Sequence, residues 1–121
     1  MKKRTRFLLP LFFIFSLIYV LYSFLFPQKS EFDNACVMEF KKGCEEYTKG
    51  DYLSSSAVFG RMIAKGTQSA AVYYNLGNSY LKQNRIGLSI LNYERAGLLA
   101  SFDPDIAINM RLARAKIKQP I

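Results

Sequence analysis

The carboxylates, hydroxyls and thiols of this sequence are spaced in ways that limit the chemistry they can do. Glu45 and Glu46 are adjacent. On a helix, neighbours point in different directions, so the two carboxylates form no general acid–base pair. Ser54-Ser55-Ser56 offers hydroxyls with no base to activate them, because the chain contains no histidine. The same absence removes the commonest metal ligand. Gly77, Gly87 and Gly97 are isolated in helical pattern and form no phosphate-cradling loop. Cys36 and Cys44 lie eight positions apart. On one helix that is about 12 Å of rise, against the roughly 7 Å between Cα atoms that a disulfide tolerates. The residues therefore predict no internal bridge, leaving two small apolar side chains in or beside a core, or an intermolecular bridge as the sharper alternative. These patterns predict a protein that is not an enzyme and has no catalytic residues, cofactor or metal site.

The elements that hold these residues fall into two parts. Residues 7–26 read FLLPLFFIFSLIYVLYSFLF without a charge, behind Lys2, Lys3, Arg4 and Arg6. Twenty such residues rise about 30 Å as a helix, the thickness of a bilayer's hydrocarbon. The expectation is a basic head at 1–6, an uncleaved transmembrane signal anchor at 7–26 and a polar linker at 27–34. The basic flank places the N-terminus inside and residues 35–121 outside the cytoplasmic membrane, in the periplasm if the cell is Gram-negative. A cleavable leader is the rival reading, but the run is long and its exit lacks a small-residue cleavage site. The formal charge is +8. From Pro27 onward thirteen Lys and Arg face nine Asp and Glu, a net +4. No dense basic stripe with interleaved aromatics occurs, so nucleic acid is not an expected partner.

Beyond the linker the apolar spacing follows the helical period. Five helices are expected, at about 35–49, 52–65, 69–83, 86–100 and 104–118. Gly50 and Gly66 stop the first two, Asp51 is a candidate N-cap, and Asp103-Pro104 opens the last. No run alternates like a strand, so the expected fold class is all-α. A 34-residue offset then aligns Gly43 with Gly77, Phe40 with Tyr74, Ser55 with Ser89, Phe59 with Tyr93 and Arg61 with Arg95. Missing side chains at Gly43 and Gly77 let two helices approach, and Phe59 and Tyr93 fill the remaining space. A helical hairpin recurring at this offset has the tetratricopeptide period.

Here the chain resembles the tetratricopeptide repeat (TPR) family. Tyr73, Leu76, Gly77, Tyr80, Ser89, Tyr93 and Ala96 stand at the family's spaced positions in the second copy. The first copy keeps Gly43, Gly50-Asp51-Tyr52 and Phe59 but has Glu39, Lys42 and Met62 where the family prefers other types. The resemblance implies repeats at about 36–69 and 70–103 and a capping helix at about 104–118. More narrowly, Tyr73 to Tyr80, Leu91 to Ala96, and Asp103-Pro104-Asp105-Ile106 with Asn109 resemble the TPR proteins of the bacterial Bat (aerotolerance) operon. Those relatives are membrane-associated and work beside von Willebrand A-type partners in the cell envelope.

In such arrays the first helix of each pair lines a concave protein-binding face. Carried over by position, the groove comprises Phe40, Cys44, Tyr47, Tyr74, Asn78, Leu81, Lys82, Ile108 and Leu112. Aromatic area and a groove-facing amide suit an extended peptide or a partner helix. The chaperone-type carboxylate clamp is not expected: its matching positions are Phe40, Cys44, Asn75, Asp105 and Asn109, and only Asn75 conforms. The functional expectation is a membrane-anchored adaptor for protein partners, in Bat-type complex assembly or stress tolerance. The alternative from another class is a structural homo-oligomer joined through its repeat flanks.

Overall fold

The computed structural model describes residues 8–25 and 29–118, with side chains for 13–25 and 34–118. Six helices and no strands occur among these residues: α1 (Leu8–Leu25), α2 (Lys29–Thr48), α3 (Tyr52–Ala64), α4 (Ala70–Lys82), α5 (Ile86–Leu99) and α6 (Pro104–Ile117). The all-α class is as expected, and the arrangement is consistent with a helical repeat array. Two compact units divide the chain at Asn34. Residues 29–34, read from sequence as a linker, are helical. Their polar composition carries no glycine or proline to interrupt a helix, and polarity alone does not unwind one.

The anchor expected at 7–26 requires correction. No helix among the described residues is long and apolar enough to cross a membrane. The single-pass, N-inside localisation in the cytoplasmic membrane is thereby withdrawn. The basic head, residues 1–6, lies outside the described residues.

In the second unit, the 34-residue offset is visible in the backbone itself. Gly50 N donates to Tyr47 O, as Asn84 N does to Leu81 O; Asp51 N donates to Glu46 O, as Arg85 N does to Tyr80 O. The same displacement relates Lys49 N to Glu45 O with Gln83 N to Ser79 O, and Ser55 N to Asp51 O with Ser89 N to Arg85 O. Both turns need one residue in the left-handed region, supplied by Gly50 at φ 82° and Asn84 at φ 58°. Glycine and asparagine are the residues that enter it at low cost.

Close approach within each hairpin explains the repeat's side chains. A Cβ placed on Gly43 would lie 2.6 Å from Phe59 Cζ, and one on Gly77 would lie 2.7 Å from Tyr93 Cε1. Phe59 and Tyr93 are both fully buried. The core runs as two clusters, Phe59, Met62, Val72 and Leu76, then Tyr73, Tyr93, Ala96, Ile106 and Ala113. Arg61 and Arg95 fill equivalent places with different chemistry. Arg61 lies 3.8 Å from the Glu39 carboxylate, which Lys65 meets at 2.9 Å. Arg95 lies 6.0 Å from the ring of Tyr73, the residue one repeat beyond Glu39.

The last described helix is α6. Asp103 accepts from the backbone N–H groups of Asp105 and Ile106, and Pro104 occupies the first turn. Ile106 and Ala113 are buried against α5. Arg111, exposed, stands one repeat after Gly77.

Candidate protein-binding face

Helices α2, α4 and α6 place three columns of side chains at 34-residue intervals: Phe40, Tyr74 and Ile108; Cys44, Asn78 and Leu112; Tyr47, Leu81 and Ala115. The expected groove residues divide into groups with different surroundings.

Phe40 and Cys44 lean on the first core cluster. The Phe40 ring meets Phe59 edge-on, with centroids 5.6 Å apart. Burial pushes the Cys44 thiol above its ordinary pKa, so it favours the neutral, unreactive form. Tyr47 packs against Tyr52 at 5.1 Å, and burial raises its pKa also.

Tyr74 and Asn78 belong to a polar knot that ties three helices together. Tyr93 Oη donates to Asn78 Oδ1 at 2.6 Å, and Asn109 Nδ2 donates to both Asn78 Oδ1 (3.0 Å) and Tyr74 Oη (2.8 Å). The Tyr74 and Tyr93 rings lie 5.9 Å apart at a 46° tilt. Burial pushes the Tyr93 hydroxyl up to about 12, because a phenolate there would lose its water. The Asn78 carboxamide oxygen is thus committed within the fold. Its Nδ2 group and the Tyr74 hydroxyl proton have no acceptor among the described residues, leaving donors for a bound main chain.

Leu81, Lys82 and Leu112 form the third group. With Ala115 and Lys116 they line a depression of about 490 Å³. Lys82 Nζ reaches to 6.0 Å from the Tyr52 ring. Ile108 and Leu112 are 49% and 55% exposed. Among the described residues no helix covers them as α5 covers Tyr74.

No protein-family model and no curated protein matches this chain. The site therefore stands on its own geometry. Two members of the polar knot, Tyr93 and Asn109, were absent from the expected groove. The available signal was a change of type between copies. Phe59 becomes Tyr93 while Cys44 becomes Asn78, so an apolar pair in the first hairpin turns into a hydrogen-bonded pair in the second.

Two smaller hollows sit one repeat apart at the start of this face. Cys36, Val37, Phe40 and Ala71 are among the walls of the first, about 280 Å³. Ala70, Ala71, Tyr74 and Asp105 are among the walls of the second, about 290 Å³. Cys36, Val37, Phe40 and Ala71 map onto Ala70, Ala71, Tyr74 and Asp105 by the 34-residue offset. The same backbone geometry thus gives equal hollows with different linings, apolar in the first and carboxylate-bearing in the second.

Proposed function

We propose that this chain is a TPR-type adaptor whose concave face, along α2, α4 and α6, binds a segment of a partner protein. The observation that carries the reading is the exposure of Ile108 and Leu112 at positions where Tyr74 and Asn78 stand one repeat earlier. A cap required only for packing has no need of large apolar side chains on its open face. Beside them, the free Asn78 amide and Tyr74 hydroxyl can donate to a bound peptide's carbonyls, and the paired hollows can accept its side chains. In this reading the chain does no covalent chemistry and needs no cofactor. The Bat-like residues named above make von Willebrand A-type proteins the first partners to test.

Photo-crosslinking tests the face directly. A benzophenone amino acid at Ile108 or Leu112 in the full chain should capture a discrete heterologous protein in cells. The same probe at Leu98, on another surface, should not. Capture from Leu98 alone would place the binding surface elsewhere. Capture only of further copies of this chain would favour the homo-oligomer. That second reading is weakened at both ends of the array, where exposed Lys42 replaces buried Leu76 and exposed Arg111 replaces buried Gly77.

A further inference from the structure

We infer that the depression between α4 and α6 selects an acidic segment with an apolar residue at its centre; this deepens the concave-face reading and rests on it. Leu81, Leu112 and Ala115 give the depression its apolar wall, and Lys82 and Lys116 stand at its edge. The two lysines occupy the same place in successive repeats, related by the 34-residue offset. Their helices touch, and both lysines line the same depression. Both are exposed.

Neither lysine has a carboxylate partner among the described residues. The ion pairs the described residues do form lie elsewhere: Glu39 with Arg61 and Lys65, Glu46 with Lys49, and Glu94 with Arg114. Lys82 Nζ lies 6.0 Å from the centroid of the Tyr52 ring. A pair of unneutralised cations flanking leucine-lined walls is complementary to carboxylates flanking a leucine-sized side chain. Burying that side chain supplies affinity, while the lysines set register and reject basic segments. This differs from capture of a chain-terminal carboxylate, because the recognised charges lie on side chains within the segment.

The test uses the full chain in mild nonionic detergent and a fluorescein-labelled peptide, amidated at its C-terminus, with glutamates on both sides of one leucine. Fluorescence anisotropy should show saturable binding that weakens as salt is added. Replacing the peptide's glutamates by lysines, or its leucine by serine, should abolish it. The double variant Lys82→Glu, Lys116→Glu should weaken binding about tenfold or more, with the helical circular dichroism unchanged. Lys82→Gln, Lys116→Gln should weaken it less. Equal binding by the basic peptide, or full affinity in both double variants, would overturn the inference. If crosslinking from Ile108 and Leu112 still captured a partner, the groove would stand and only its charge preference would fall. Loss of both signals would remove the groove itself.

Discussion

At the level of single residues, the fold depends on two missing side chains and the rings that fill their space. Gly77→Ala would put a methyl 2.7 Å from the buried Tyr93 ring and 3.2 Å from Ser89 O. Neither neighbour is a flexible side-chain end, so the substitution should destabilise by about 1–3 kcal/mol in urea unfolding. The serines of the repeat give a contrast of opposite sign. Ser55 Oγ donates to Gly43 O and pairs with Ser79 Oγ. Ser89 is its equivalent, but Ala113 stands one repeat beyond Ser79, and Ser89 Oγ is buried without a hydrogen-bond partner among the described residues. It influences the nearby Tyr93 hydroxyl without reaching hydrogen-bond geometry. Ser89→Ala should therefore stabilise by about 1 kcal/mol, whereas Ser55→Ala should cost at least that much. Equal effects in the two positions would contradict this account. Tyr93 adds a pH signature. Its pKa rises from 10.0 to about 12 on folding, so the folded state holds the phenolic proton more tightly than the unfolded chain. The contribution to stability is whole below pH 10 and is lost as pH rises toward 12. Tyr93→Phe should lower stability at neutral pH, by loss of the Asn78 bond, and flatten the decline between pH 10 and 12.

At the level of elements, the turns decide how the hairpins close. Gly50→Ala and Asn84→Ala each force an ordinary side chain into the left-handed region and should each cost about 1 kcal/mol, measured by thermal unfolding. Asn84→Gly should be neutral or slightly stabilising. Asp51 caps α3 by accepting from Ser54 N and Ser54 Oγ, and these bonds hold its carboxyl below the usual range. Its equivalent before α5, Arg85, makes no side-chain cap and lies against the Tyr80 ring instead, 5.0 Å from its centroid. Most of these boundaries were legible. Gly50, Gly66 and Pro104 mark helix ends through backbone preference and Asp103 through its side-chain cap, and the ends they mark agree within a residue or two. The start of α2 was not legible, because residues 29–34 are polar yet compatible with helix. The groove columns followed from the 34-residue offset. The polar knot did not, since Asn78, Tyr93 and Asn109 meet only after three helices have packed, and periodicity along one helix carries no information about that meeting.

At the level of the whole molecule, the two units differ in how they treat apolar surface. From α2 to α6 the rings of Phe59, Tyr73 and Tyr93 are buried, and exposed Lys42 and Arg111 stand at the two ends. In α1, by contrast, Phe13, Phe15, Tyr19 and Leu25 are 63–71% exposed and Phe24 is 88% exposed. A run of this kind exceeds the few hundred Å² of contiguous apolar patch that a soluble monomer ordinarily presents. Its burial against further copies would be favoured by about 25 cal/mol per Å². The full chain in aqueous buffer should accordingly self-associate through α1, and a fragment of residues 29–121 should sediment as a monomer across the same concentrations. Substituting Phe13, Phe15 and Phe24 by serine in the full chain should shift it toward monomer without altering the melting of the repeat. If the 29–121 fragment assembled as strongly as the full chain, the charged ends of the array would not prevent stacking, and the homo-oligomer reading would gain over the adaptor.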